Sequence, residues 1–366
     1  MGKIQIGIIF GGKSAEHEIS LLSAKNIIAA LDKDKYDVTL IGIDKRGHWH
    51  LCDRAQYLLN SHDPKQVVMH GMQDEVSLVA KNAVPHLVSL TGGKEDKQLD
   101  VIFPVLHGTF GEDGTVQGLL KLMGIPFVGA GVLGSAVGMD KDVMKRLLRD
   151  AGIAIAKFVT IERRARAKWS FADVVKQLGL PLFIKPANLG SSVGVSKVKN
   201  AQEWEAALDA AFAYDNKVIV EEFIAGRELE CGLMGNEEPI ASLPGEVIAH
   251  GHEFYSYEAK YCDDKGVSFM VPAELSQEEV KKFQEASIEV YKALYCEGLA
   301  RVDGFLQADG RVVINEINTI PGFTNSSLYP QLWQASGVSY PELVDRLVEF
   351  ALVRHQREKQ LKTTFA

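Results

Sequence analysis

The chain has 366 residues, 46% of them hydrophobic and 24% charged, and a formal net charge of −8. That length supports two or three domains with their own cores, and the composition excludes disorder. The acidic balance argues against a nucleic-acid or membrane-surface role. Cys52, Cys231, Cys262 and Cys296 contain no C-x-x-C, and the histidines show no H-x-x-x-H or Cys/His zinc spacing. No apolar run is long enough to span a bilayer, and the strand pattern starts at once without a signal peptide, so a cytoplasmic protein is expected.

Residues 3–10 read as a buried parallel strand, followed by the loop Gly11-Gly12-Lys13-Ser14-Ala15-Glu16-His17 and a helical pattern from Glu18 to Leu31. Strands at 38–44 and 99–106 and helices at 114–123 and 135–150 continue a βα alternation, which predicts a doubly wound parallel sheet. The Gly-Gly turn lacks the dinucleotide spacing but can still bring backbone N–H groups and a helix N-terminus to a ligand. Residues 60–98 interrupt the alternation and read as an inserted β meander. Beyond Phe158, strands at 182–187, 193–198 and 217–223 alternate with helices at 171–178 and 202–213. Helices at 277–295 and from Pro341 to Gln360 follow.

The stretch 300–318 carries the strongest chemical signal. Asp309-Gly310 between two β-branched runs predicts a hairpin, and a two-residue turn there pairs Ala308 with Arg311. Counting back, Asp303 falls opposite Glu316 and Arg301 opposite Asn318, all on one face, with Val302, Leu306, Val313 and Ile317 on the other. Two carboxylates with Cβ atoms about 5 Å apart need compensation. A hard divalent cation supplies it, as does a solvated face on which Arg301 offsets both acids.

The run Phe183 to Val195, FIKPANLGSSVGV, reads as strand, glycine- and serine-rich loop, strand. Such a loop can close over phosphates, with Lys185 as a point charge, or it is a plain hairpin with a surface lysine. Lys141 at a helix start, Glu221 at the end of an apolar strand and Glu228 after a Gly-Arg turn complete a nucleotide pocket, or are ordinary surface charges.

These motifs, KPANLGSSVGVSKV, RVDGFL and NEINTIPGFTNSSLYP, preceded by GGKSAEHEISL and HGTFGEDGTVQGLL, closely resemble those of the D-alanine–D-alanine ligases, an ATP-grasp family, in its longer form. The resemblance runs from Lys3 to the helix beyond Pro341. It implies an α/β, three-domain ATP-grasp architecture: an N-terminal unit over 1–140 with the 60–98 insert, a central unit over 141–227 and a C-terminal unit over 228–366. It implies that the carboxylate of one D-alanine takes the γ-phosphate of ATP and that the amine of a second displaces phosphate. The cofactors implied are ATP and two Mg²⁺, with Mn²⁺ as a substitute, and the assembly implied is a homodimer.

Residue by residue, the resemblance makes Asp303, Glu316 and Asn318 the metal ligands. Arg301 and the backbone N–H of Gly322 then stabilise the tetrahedral intermediate. Lys141, Lys185, Ser191, Ser192, Glu221, Glu228, Lys260 and Asn315 fall to the nucleotide. Glu16 matches the group that holds the first D-alanine's ammonium, with His107 beside it, and Ser327 and Leu328 match the second carboxylate site. Lys260 and Tyr261 match a mobile loop over the substrates, and Glu16, Ser191 and Tyr261 a triad that orients the amine. The run 250–264 is accordingly expected to be a lid. A D-alanine–D-lactate ligase and a non-catalytic nucleotide sensor on the same fold are the alternatives. Tyr261 and the full set of charged residues favour the dipeptide ligase.

Overall fold

The computed structural model describes residues 2–61, 63, 66–81, 84–93, 96–250 and 266–362. Lys260 and Tyr261 lie outside the described residues, as does the expected lid apart from His250. The chain is mixed α/β, and the described residues form three sheets of four or more strands.

Strands β1 (Ile4–Gly11), β2 (Tyr36–Ile43), β3 (Trp49–Cys52), β6 (Met72–Lys81), β7 (Val84–Ser89), β8 (Asp96–Gln98) and β9 (Val101–Val105) make the first sheet, in the order β8-β7-β6-β3-β2-β1-β9, while β4 (Leu58–Leu59) and β5 (Val68–Met69) pair separately. The parallel part is β2-β1-β9, fully buried along β9 and most of β1. The 60–98 insert is the expected meander, but it is not a separate layer. β3, which the apolar pattern alone does not announce, pairs antiparallel with both β2 and β6 and joins the meander to the sheet.

The helix expected at 135–150 is two helices, Val132–Met139 and Lys141–Asp150. They are broken at Asp140, whose extended backbone and side chain cap the second through the N–H groups of Asp142 and Val143. The break sets Lys141 at a helix start.

The second sheet holds β10 (Phe158–Glu162), β11 (Leu182–Pro186), β12 (Ser196–Val198) and β13 (Lys217–Glu222), ordered β10-β13-β11-β12. The helices Phe171–Leu178 and Ala201–Phe212 share its core, where Trp204, Phe212, Ile184 and Val220 are buried.

The third sheet is built from β14 (Arg227–Gly235), β15 (Ile240–Ala241), β16 (Gly245–Ala249), β17 (Val267–Met270), β18 (Gly298–Leu306) and β19 (Val312–Asn318). The helix Gln277–Ala293 packs on it and starts at a capping box between Ser276 and Glu279.

The β18–β19 hairpin is present, with one correction. Gln307 and Arg311 close a three-residue loop in which Gly310 takes φ 77°, so Ala308 does not pair with Arg311. One extra residue on the return strand, Asn315, makes a bulge that restores the register, so Asp303 still faces Glu316 and Arg301 faces Asn318. Val313 pairs with Phe305 as a result. Ile314, not expected there, joins Val302, Leu306 and Ile317 in one core cluster, while Val313 is buried as expected but outside that cluster.

Candidate active site

Glu16 precedes the helix His17–Ala30, at the end of the turn that leaves β1. Gly11 sits there at φ 90°, where a Cβ would lie 2.2 Å from the Ile43 carbonyl oxygen, so only glycine fits. The N–H groups of the two glycines are spent inside the fold: Gly11 donates to Ser20 Oγ at 2.7 Å and Gly12 to the Ile43 carbonyl at 2.8 Å. The turn presents a carboxylate to the site, and neither glycine N–H is left to meet a ligand. Ser191, in the loop after β11, donates a short hydrogen bond to Glu16, with both Ser191 and Ser192 in the left-handed region at φ 53° and 56°. Two of the three expected triad members thus touch.

The charged centre lies where the Lys141 helix, the second sheet and the β14-β18-β19 face converge. Lys141 Nζ is 3.0 Å from Glu316 and donates to the Leu189 carbonyl at 2.8 Å. Arg301 forks onto both oxygens of Asp303 at 2.7 Å and meets Glu230 at 2.7 Å. Lys185 stands 2.7 Å from Glu221 and 3.2 Å from the Asn315 amide oxygen. Lys145, one helical turn beyond Lys141, pairs with the other Glu221 oxygen at 2.8 Å.

Burial alone would push the Glu221 carboxyl up, but the ammonium groups of Lys145 and Lys185 outweigh it and hold it down at about 2. Burial likewise works against the Lys185 ammonium, yet Glu221, Glu316 and Glu228 raise it above the usual lysine range. For Lys145 burial wins, and its proton is held less firmly than in an ordinary lysine.

On the opposite side, His107 is buried with both ring nitrogens engaged, Nδ1 at 2.9 Å from the Ile320 carbonyl and Nε2 at 3.1 Å from Ser23 Oγ. A carbonyl only accepts, so Nδ1 carries the proton. Burial lowers the His107 pKa against the pull of Glu16, which keeps the ring neutral and lets the Ser23 hydroxyl donate to Nε2. Ser23 Oγ in turn accepts from the Phe323 N–H at 3.1 Å, so a relay of three bonds grips the segment that contains Gly322. At Gly322 a Cβ would meet Ser327 Oγ at 2.6 Å. Ser327 is the N-cap of the helix Leu328–Ala335 and makes no side-chain cap bond there. A helix N-terminus of this kind favours a carboxylate.

Two cavities take in every described candidate. The first, about 440 Å³, is lined among others by Lys141, Lys185, Ser192, Glu221, Glu228, Asp303, Asn315 and Glu316. The second, about 260 Å³, is lined by Glu16, His107, Ser191, Arg301, Asn318, Gly322, Ser327 and Leu328 as well as Lys141 and Glu316. They share Lys141, Gly190, Glu230 and Glu316, so Glu316 and the phosphate-type lysine stand where the two meet, with Asp303 on the wall of the first.

Three residues in this site escape the sequence reading. Lys145 follows Lys141 by one turn, a spacing that signals a shared helix face. Glu230 is two beyond Glu228 on β14 and so shares its face, directly opposite Asp303. Glu112 has no such signal. It is buried beside the second cavity and accepts from the Gly108 N–H at 2.8 Å. Burial and then the Glu16 charge push its carboxyl well above the usual range.

The family model for the D-ala D-ala ligase N-terminus matches residues 5–130, and that for the D-ala D-ala ligase C-terminus matches residues 147–349. The chain is 52% identical over 362 residues to the D-alanine–D-alanine ligase of Oceanobacillus iheyensis, covering 99% of both chains. It is 52% identical over 364 residues to D-alanine–D-alanine ligase A of Salmonella typhimurium, covering all of both. Among solved structures, the D-alanine–D-alanine ligase of Coxiella burnetii superposes with a TM-score of 0.86 at 39% identity, over 98% of this chain and 97% of that one. VanG, a D-Ala:D-Ser ligase of Enterococcus faecalis, gives 0.83 at 38% identity over 96% and 100%. The chain belongs to the D-alanine–D-alanine ligase family.

Proposed function

We propose that this chain joins two D-alanines at the expense of ATP, through a D-alanyl phosphate, to supply the dipeptide for peptidoglycan. The observation that carries the reading is the pair of cavities that meet at Lys141, Glu230 and Glu316. A nucleotide in the larger one directs its terminal phosphate toward a small amino acid in the other. The carboxylate oxygen of the first D-alanine attacks the γ-phosphorus, the bond to the bridging oxygen breaks, and ADP leaves. The amine of the second D-alanine then attacks the acyl carbon, a proton is lost from that nitrogen, and inorganic phosphate departs.

Within this reading Lys141 and Lys185 neutralise phosphate charge, and Ser191 and Ser192 lie over it. Glu221 accepts from the adenine amino group on lone pairs left after its two lysine contacts, Asn315 steadies Lys185, and Glu228 accepts from the ribose. Glu16 holds the first ammonium group. Ser327 and the Leu328 N–H receive the second carboxylate. Arg301 and the Gly322 N–H stabilise the tetrahedral oxyanion. His107, with both nitrogens committed, positions the Ile320–Phe323 segment.

The donor set suits magnesium: Asp303, Glu316 and the amide oxygen of Asn318 are hard oxygens on one face, and that face carries more carboxylate than Lys141 and Arg301 offset. Two magnesium ions, or manganese, held there supply charge neutralisation to the transferring phosphoryl group. A cytoplasmic homodimer completes the reading by family resemblance.

The test is ADP release with D-alanine, L-alanine, D-serine and D-lactate offered in turn. Turnover with D-alanine alone is expected, and it falls at least about a hundredfold in Glu316→Gln with the circular dichroism spectrum unchanged. A product of D-alanine with D-lactate or D-serine in preference makes the chain a ligase of different specificity. ATP binding without ADP release under any condition makes it a sensor.

A further inference from the structure

The turn between β2 and β3 brings together three side chains that the ligase reading does not use: Asp44, His48 and His50. Their potential ligand atoms all lie within 4.8 Å of one another. Asp44 Oδ2 is 3.4 Å from His48 Nδ1 and 3.5 Å from His50 Nε2. An ion with metal–ligand bonds of about 2.0–2.1 Å in tetrahedral geometry spaces its ligands about 3.3 Å apart, so both distances need closing by only a few tenths of an ångström.

The carboxylate is held for this purpose by the backbone. Its other oxygen, Oδ1, accepts from the N–H groups of Arg46 at 2.8 Å and His48 at 2.9 Å, which turns Oδ2 toward the two rings. His50 Nε2 is shielded from solvent and faces Asp44 Oδ2 at 3.5 Å, a contact longer than a full hydrogen bond. A shielded ring nitrogen so weakly satisfied carries a cost that a metal ion between it and the carboxylate removes. Asp44 and His50 are each only partly exposed, while His48 closes the group from the solvent side. Glu75 stands directly across the β3–β6 ladder from His50 and so shares its face, and a water fills the fourth position.

We propose that Asp44, His48 and His50 form a binding site for a divalent transition metal, zinc by ligand preference, distinct from the oxygen-donor site at Asp303 and Glu316. The two imidazoles are borderline ligands that favour zinc over magnesium, and zinc accepts the carboxylate oxygen beside them. The ion staples the β2–β3 turn to the sheet. That turn borders the segment leading to Glu16, through the Gly12 N–H on the Ile43 carbonyl at 2.8 Å and the Lys45–Glu18 pair at 2.6 Å.

The test titrates Co²⁺ into the full chain in excess Mg²⁺, followed by Zn²⁺. The expected result is one equivalent of cobalt with the intense visible band of four-coordination, bleached by one equivalent of zinc. The band is lost in His48→Gln, His50→Ala and Asp44→Asn, whereas ADP formation in Mg²⁺ is unchanged in all three. His48 is on the outside of the turn, and Asn at 44 keeps the Oδ1 acceptor, so at least these two variants fold. Absence of the intense band, or its survival in His48→Gln and Asp44→Asn, overturns the proposal. Its loss in Glu316→Gln instead assigns the ion to the ligase cavity and overturns it equally, without bearing on the ligase reading.

Discussion

Glu221 shows how much a single side chain depends on what surrounds it. A carboxylate 3% exposed is costly unless paired, and here each oxygen has its own lysine. Because its folded pKa of about 2 lies below the unfolded value of about 4.3, Glu221 adds stability that is complete above the unfolded value and is lost as pH falls toward 2. Lys145→Met removes one partner and leaves Lys185. We expect a loss of about 2 kcal/mol at neutral pH, less than the about 3–5 kcal/mol of an orphaned buried charge. The Tm difference between parent and variant should shrink as pH drops from 5 toward 2, because protonation removes from the parent what the mutation has already removed. A difference constant across that range would show that Lys145 does not stabilise the ionised carboxylate.

At the scale of the element, two glycines do different work. Gly310 closes the β18–β19 loop at φ 77° with open space around it, the nearest atom to an added Cβ being Lys282 Nζ at 3.9 Å. Gly310→Ala should therefore cost about 1 kcal/mol through backbone strain and leave turnover intact, since the bulge at Asn315 keeps Asp303 and Glu316 in register. Gly322 has the opposite problem, a Cβ 2.6 Å from Ser327 Oγ. Gly322→Ala should displace Ser327 and cut kcat/KM for D-alanine by about tenfold or more, with Tm close to the parent. Thermal melts and steady-state ADP assays on both variants check this, and equal effects on activity would refute the division of roles.

Over the whole molecule the cores are not parcelled out as the expected three units suggest. One cluster joins Ile6, Phe10 and Phe103 from the first sheet, and Leu21 from the helix His17–Ala30, to Phe323, Tyr329, Trp333, Leu343, Val344, Leu347 and Val348 from the end of the chain. Arg354 clamps the same seam by donating to the Phe127 and Gly129 carbonyls. The second sheet, in contrast, buries a cluster drawn only from residues 159–220. Denaturant-dependent hydrogen exchange should show residues 158–222 opening as one unit, while Ile8 and Val344 exchange together at a higher free energy. Joint exchange of all three would mean that the contacts across the cavities, such as Lys185–Asn315 and Ser191–Glu16, already fuse the units without ligand.

The sequence by itself determined what is local. Alternation and turn residues placed the buried strand before Gly11, the 60–98 meander and the Asp309-Gly310 hairpin, because a strand's period and a turn's φ angles are properties of a few consecutive residues. The pairing of Asp303 with Glu316 was readable for a less secure reason: one extra loop residue and one bulge residue offset each other. Motif resemblance supplied the remaining candidate residues that lie in separate stretches. Tertiary structure alone decided the partners of buried charge. Nothing near Glu112 in the chain announces a carboxyl driven upward by Glu16, and nothing at Ser23 announces the relay to His107 and Phe323. These depend on desolvation and on distances between segments far apart in sequence, and both quantities come into existence only when the chain packs.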